Sequence, residues 1–116
     1  MGGQIKYKVL LSEEVDNFLD SLPLKAKAKI LYNIRLVESG QQDIEIFKKL
    51  DGSNIWEFRT IYAGMKYRLL SFFDKEARAL IVTTHGFLKK TQKTPAKEIE
   101  RAEAIRKEYY KQKNKE

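Results

Sequence analysis

The sequence contains no cysteine, one histidine and two prolines in 116 residues. The absence of cysteine excludes disulfides, zinc–thiolate sites and thiol catalysis. A single histidine argues against a histidine-rich metal site, so we expect neither a metal nor a cofactor. No apolar run approaches the roughly 18 residues that span a bilayer, and the N-terminus has no apolar signal-peptide core. We therefore expect a cytoplasmic protein with no membrane association.

The composition is that of one folded, basic domain spanning residues 1–116. An apolar fraction of 42% is enough for a packed core. The formal net charge is +7. Most of it lies between residues 59 and 93, where eight basic residues accompany two acidic ones. Such a charge predicts an anionic partner, which is a nucleic acid, an acidic protein or both.

Three runs rich in β-branched and aromatic residues predict a sheet between residues 55 and 87. The runs are 55–62, 65–73 and 80–87, and their connections are too short for anything but antiparallel neighbours. Residues 5–11 alternate apolar and polar, which predicts a further, N-terminal strand. The segment 41–50 has no clear pattern, although its apolar side chains must pack somewhere.

The remaining segments have the periodicity of helices. Ser12 is placed to cap a first helix that ends before Pro23, and a second helix follows to about residue 39. Its predicted inner stripe consists of Ala28, Leu31, Ile34 and Val37, with Ile30 beside it. Thr94 is predicted to cap a third helix with Pro95 in its first turn, and residues 111–116 are expected to fray.

These elements predict an α+β fold with two layers. An antiparallel β-meander with the N-terminal strand carries a helical hairpin on one face, and a C-terminal helix follows. The other sheet face is expected to be partly open, and alternation places Arg59, Lys66 and Arg68 near it. Three lysines, Lys25, Lys27 and Lys29, cluster near the turn of the helical hairpin. We interpret them as a solvated helix face rather than a ligand site.

The order of elements and five segments resemble the RelE/ParE toxin superfamily, and within it the HigB-type, phage-related branch. The segments are LDG at 50–52, IWEFR at 55–59, YR at 67–68, HGF at 85–87 and KKTQKTP at 89–95. The resemblance covers essentially the whole chain. It implies a RelE-like fold and the toxin of a type II toxin–antitoxin pair. It further implies a metal-independent endoribonuclease that cuts mRNA on the ribosome, and a small helix-turn-helix, HigA-like antitoxin.

RNA can be cut without a metal, because its 2′-OH can attack the adjacent phosphate. The protein must then stabilise a dianionic transition state, a task that suits the planar guanidinium of arginine. The predicted catalytic residues are Arg68, His85 and Lys90. The residues predicted to bind phosphate are Arg59, Lys66, Lys89 and Lys93.

Several alternatives remain open at this point. His85 is either a strand-end residue bonded to backbone or a proton shuttle. Trp56 and Phe58 are either core residues or platforms for stacking bases, and the lysines at 89–93 form either a solvated turn or a phosphate clamp. The rival functions are a ParE-like inhibitor of gyrase without nuclease activity and an RNA-binding module without turnover.

Overall fold

The computed structural model describes residues 6–115, which form a five-stranded sheet and three helices. The strands are β1 (Lys8–Leu10), β2 (Phe47–Lys49), β3 (Trp56–Tyr62), β4 (Met65–Phe73) and β5 (Leu80–Leu88). The helices are α1 (Glu13–Asp20), α2 (Leu24–Glu38) and α3 (Ala96–Lys113). The predicted α+β fold class is confirmed. Within residues 6–115, none of the helices combines the length and apolarity needed to cross a membrane.

The sheet is built around the predicted meander, because β3, β4 and β5 are antiparallel neighbours. Ala63 and Gly64 make the turn between β3 and β4, with φ angles of 50° and 79° that suit a two-residue hairpin turn. β1 lies parallel to β5 at one edge, and β2 pairs with β3 at the other. β1 is shorter than the predicted strand 5–11, and Ile5 lies outside the described residues.

The helical hairpin of α1 and α2 covers one face of the sheet, as predicted. The hydroxyl of Ser12 accepts a hydrogen bond from the N–H of Val15 at 3.1 Å, which confirms the cap of α1. Gly86 of β5 allows α1 to come close, because a side chain there would occupy the space of Phe18. The core between helices and sheet therefore depends on one residue without a side chain.

The predicted inner stripe of α2 is wrong at Ala28, which is exposed. Ile34 and Val37 are buried as predicted, Ile30 beside them is buried too, and Ala26 is buried where Ala28 was expected. The polar residue Asn33 also faces the sheet, where its amide donates a hydrogen bond to the hydroxyl of Thr60 at 3.0 Å. A search for apolar side chains alone leaves out this polar contact.

α3 packs on the opposite face of the sheet, which the sequence pattern left partly open. Ala102 is buried there in a second apolar cluster with Ile55, Leu70 and Phe72. The helix continues to Lys113, so residues 111–113 are helical and not the frayed tail that was expected. The predicted cap is also corrected, because α3 begins after Pro95 without a side-chain cap bond.

Candidate nucleic-acid interface

A basic groove of about 390 Å³ lies where β2, β3 and the loop 89–94 meet. Its lining residues are Lys48, Lys49, Leu50, Asp51, Arg59, Lys89, Gln92, Lys93, Thr94 and Ile99. Five of these side chains are cationic and one is acidic. Cations gathered in a recess raise the local concentration of anions, so the groove is suited to a phosphate backbone.

A buried carboxylate, that of Glu57 on β3, holds Arg59 of this groove in place. Glu57 is 0% exposed and accepts a hydrogen bond from Arg59 Nε at 3.0 Å. Its other oxygen accepts a hydrogen bond from the hydroxyl of Thr94, so the loop before α3 is tied to the sheet. This bond explains why Thr94 does not cap α3.

Arg68 of β4 lies beneath the groove, directly across the strand pair from Arg59. Arg68 is 6% exposed, and its Nε is 3.5 Å from the Glu57 carboxylate without a hydrogen-bond partner among residues 6–115. The Nη1 atom donates to the carbonyl of Tyr67 at 3.1 Å. Burial lowers the pKa of Arg68, Glu57 opposes this effect and Arg59 adds to it. The predicted open position of Arg68 is therefore wrong, because the side chain turns inward toward Glu57.

Opposing like charges in a strand pair destabilise a sheet, and a buried donor without a partner costs free energy as well. Arg59 and Arg68 present both features at one place. Strained polar arrangements of this kind concentrate at functional sites. The pair is thus a structural reason to regard the groove as a binding site rather than as part of the stabilising core.

Lys89 extends the basic cluster from the sheet into the loop 89–94. Its N–H donates to the carbonyl of Lys66 at 2.8 Å, which fixes the start of the loop against β4. Burial lowers the pKa of Lys89, Glu57 opposes this effect, and Arg68, Arg59 and Lys66 add to it. A second recess of about 360 Å³ adjoins this point and includes Lys66, Lys89 and Lys90 in its lining.

His85 lies under α3 and not in the groove, because β5 contains a bulge. The pairing of β5 with β4 shifts register between Leu69 and Ser71 of β4. Beyond the bulge the alternation of side chains is reversed, so His85 faces α3, where its Nε2 is 2.9 Å from Glu98 Oε1. Its Nδ1 is 3.1 Å from the hydroxyl of Thr84, and the residue is 1% exposed. The expectation that His85 converges on a phosphate with Arg68 finds no support in this geometry.

The structure therefore brings together most, but not all, of the residues predicted for the site. Arg59, Lys89 and Lys93 line the groove, and Lys66 and Lys90 line the adjacent recess. Arg68 lies beneath, next to Glu57, and His85 lies apart.

Sequence reasoning considered Glu57 only as a salt-bridge partner of Arg59, and it missed Lys48 and Lys49 as parts of the site. Glu57 shares a strand face with Arg59, and that spacing was the available signal. Lys48 and Lys49 belong to β2, in the segment where no pattern was found. Phe58 is buried in the core. Trp56 is half-buried, with its ring stacked on Phe47 at 5.0 Å and edge-on to Phe73 at 5.3 Å.

A larger recess, of about 690 Å³, lies elsewhere, between β1 and α3. Its lining is mainly apolar and includes Leu10, Leu11, Val82 and Ile105. We assign the candidate site to the smaller groove, because charge rather than volume is what an anionic partner requires. In residues 6–115 there is no group of three or more histidine, aspartate or glutamate side chains that could hold a metal ion.

The sequence profile of phage-derived, Gp49-like proteins matches residues 17–107. The chain belongs to the Gp49-like family. The matched region of this Gp49-like protein includes every residue of the groove. No curated protein sequence matches the chain.

Two solved structures resemble this Gp49-like protein. A free-state mutant of the E. coli toxin RelE shares 15% sequence identity, with 88% of this chain and 98% of that chain covered at a TM-score of 0.59. The toxin–antitoxin complex RelBE2 from Mycobacterium tuberculosis shares 20% identity over 73% of this chain and 93% of that chain, with a TM-score of 0.47. The similarity to the RelE mutant confirms the predicted RelE-like fold, and membership of the HigB-type branch stays a prediction.

Proposed function

We propose that this Gp49-like protein is the toxin of a type II toxin–antitoxin pair, and that it is an endoribonuclease acting on mRNA at the ribosome in the cytoplasm. The partner that neutralises it is a helix-turn-helix antitoxin of the HigA-like type. The family and the RelE fold support the toxin class. The observation that carries the nuclease assignment is the buried Glu57 carboxylate, which faces Arg59 and Arg68 under a groove lined with further cations.

In this proposal an RNA phosphate enters the groove and binds Arg59 first, because Arg59 contributes to the groove lining. The phosphate then attracts Arg68, whose Nε has no hydrogen-bond partner among the described residues. A guanidinium can bind two phosphate oxygens at once. Glu57 keeps both guanidinium groups in place before the RNA arrives, which lowers the cost of ordering them during the reaction.

The cleavage step transfers a proton from the 2′-OH as its oxygen attacks the adjacent phosphorus, and the 5′-oxygen leaves with a proton. Arg59 and Arg68 stabilise the dianionic transition state. We assign the proton transfers to the loop lysines, Lys89 and Lys90. A lysine whose pKa is lowered is more useful in acid–base work near neutral pH, and burial lowers the pKa of Lys89. His85 receives no role in this scheme, because it is bound to Glu98 beneath α3.

The test is primer extension on cellular mRNA after induction of the wild-type chain, with Lys107→Ala as a control at an exposed site on α3. We expect growth arrest and discrete cuts in translated messages. DNA breaks with arrest of gyrase would favour the ParE-like alternative. RNA binding without cuts would favour the non-catalytic module, and normal growth with verified soluble protein would contradict the toxin assignment.

A further inference from the structure

The outer side of α2 carries an apolar row that nothing in residues 6–115 covers. Leu24, Ala28 and Tyr32 are all exposed, and their spacing of four residues places them in line along the helix. Leu24 is 83% exposed and Tyr32 60%. We call these three residues the α2 ridge. The buried residues Ile30 and Val37 hold the opposite side of the helix on the sheet.

A helix needs one apolar stripe to pack on a sheet, and a helix that is apolar on two sides is usually buried on both. Single exposed apolar residues are normal on protein surfaces, whereas a continuous row marks an interaction surface. The α2 ridge extends over two helical turns, or about 12 Å. This length corresponds to the contact of one further helix.

The charges beside the α2 ridge indicate the nature of that helix. Lys25 and Arg35 are exposed and form no ion pair within residues 6–115. Lys29 is also exposed, and its Nζ donates to the carbonyl of Ile61. Lys25 and Lys29 lie along one side of the apolar row, and Arg35 lies beyond its Tyr32 end, so they complement a helix that has its own apolar row and acidic flanks.

We propose that the α2 ridge is the docking surface for an acidic amphipathic helix of the antitoxin, an inference that rests on the function proposed above. The apolar rows of the two helices interdigitate. The acidic flanks of the partner pair with Arg35 and with Lys25, a role that replaces the solvated helix face predicted for Lys25 from the sequence. RNA is the less suitable occupant, because its phosphates gain nothing from Leu24 or Tyr32.

The α2 ridge and the basic groove are separate sites. α2 packs on the sheet face that includes Thr60, whereas the groove lies on the face of Arg59, and the two residues are neighbours on β3 with opposite directions. Substitutions on the ridge are therefore expected to leave RNA binding in the groove unchanged.

The experiment measures the affinity of the purified full chain for the product of the adjacent helix-turn-helix gene by isothermal titration calorimetry. Leu24→Glu with Tyr32→Glu adds acidic charge opposite an acidic partner and removes two apolar anchors. We expect this double variant to weaken binding by at least about tenfold. Lys25→Glu with Arg35→Glu should weaken it as well, with a loss that shrinks at high salt. Tyr32→Phe should bind like the wild type.

The matched controls are Leu10→Glu, an exposed apolar position on β1, and Lys107→Glu, an exposed cation on α3. Both should bind the partner normally, and melting temperatures should show that every variant is folded. Normal binding by both double variants would overturn the ridge but leave the antitoxin assignment intact. No complex with the wild type would overturn the antitoxin assignment and the ridge together. Loss of binding to an RNA oligonucleotide, with the protein complex unchanged, would assign the face to RNA.

Discussion

Two buried carboxylates lie near opposite ends of α3, and their surroundings differ in one decisive respect. Asp74 accepts hydrogen bonds from Lys113 Nζ at 2.6 Å, from the Tyr109 hydroxyl at 2.5 Å and from two backbone N–H groups at 2.7 and 3.1 Å. Glu57 faces two arginines, and Nε of one of them has no hydrogen-bond partner in residues 6–115.

The pKa values of Asp74 and Tyr109 reflect this difference. Burial acts to raise the pKa of Asp74, but the bonds from Lys113, Tyr109 and the backbone outweigh it and hold the pKa at about 2. Burial together with the bond to Asp74 raises the pKa of Tyr109 to about 12. The Asp74 cluster is satisfied internally and secures the end of α3. The Glu57 cluster has cations in excess, so it is suited to receive an anion from outside.

The largest expected effect is a loss of RNA cleavage in the Arg68→Ala variant. Removing one preorganised donor from a transition state typically reduces the rate by about 10² to 10³. Arg68→Lys should also be impaired, because an ammonium cannot reproduce the two-pronged contact of a guanidinium. Toxicity, melting temperature and antitoxin binding are to be measured on both variants, with Lys107→Ala as the control. A stable Arg68→Ala protein that is fully toxic would contradict the proposed role of this arginine in RNA cleavage.

The next effect is on stability, through Asp74→Ala. This change leaves Tyr109 and Lys113 without their shared acceptor, and removing one member of a buried ion pair costs about 3 kcal/mol. We expect urea unfolding to show a loss of this order while RNA affinity stays near that of the wild type. If RNA affinity fell in a variant that is still folded, the assignment of separate roles to the Asp74 cluster and the Glu57 cluster would be wrong.

Lowering the pH should reduce the stabilising contribution of the Asp74 cluster over a defined pH range. The pKa of Asp74 is lowered from 3.8 to about 2, so its contribution to stability is present above pH 4 and is lost as the pH falls toward 2. That contribution amounts to about 2 kcal/mol by linkage. Urea titrations between pH 5 and pH 2 should show the loss in the wild type. The same pH-dependent loss should be missing in Asp74→Asn. An identical dependence of the unfolding free energy on pH in the two proteins would refute the prediction.

The smallest effect on function is expected for Glu57→Gln, in RNA affinity. The amide keeps an oxygen that can accept the bond from Thr94, but the negative charge between the arginines is gone. RNA affinity should rise by roughly severalfold, because the groove becomes more positive, while the cleavage rate falls as Arg59 and Arg68 lose their anchor. An RNA titration and a cleavage assay on the same preparation check this prediction. A rise in both quantities would show that Glu57 is merely an electrostatic obstacle.

The meander, the helical hairpin and the basic character of the sheet were predictable, because periodicity and turn residues report local geometry. β2 was not, because a three-residue edge strand is specified by its pairing with β3 and not by its own pattern. The position of His85 was also beyond the sequence, since a bulge reverses the alternation on which face assignments rest.

The site was predicted in charge but not in arrangement. Arg59, Lys89 and Lys93 line the groove and Lys90 lines the adjacent recess, whereas Arg68 turns inward to Glu57. Alternation correctly placed Arg59 and Arg68 on one sheet face, but it carries no information about α3 covering part of that face. The binding of a buried carboxylate by several cations is a long-range contact, and the sequence shows only that Glu57 is two residues from Arg59.

The central claim is that the Glu57 cluster binds phosphate while the Asp74 cluster stabilises α3. It is tested most directly by measuring RNA affinity in two matched variants. Arg59→Ala removes a cation from Glu57, and Lys113→Ala removes a cation from Asp74. Fluorescence anisotropy with a labelled single-stranded RNA should show a loss of about tenfold for Arg59→Ala and wild-type affinity for Lys113→Ala. Equal affinities for the two folded variants, with Arg59→Ala binding like the wild type, would contradict the claim.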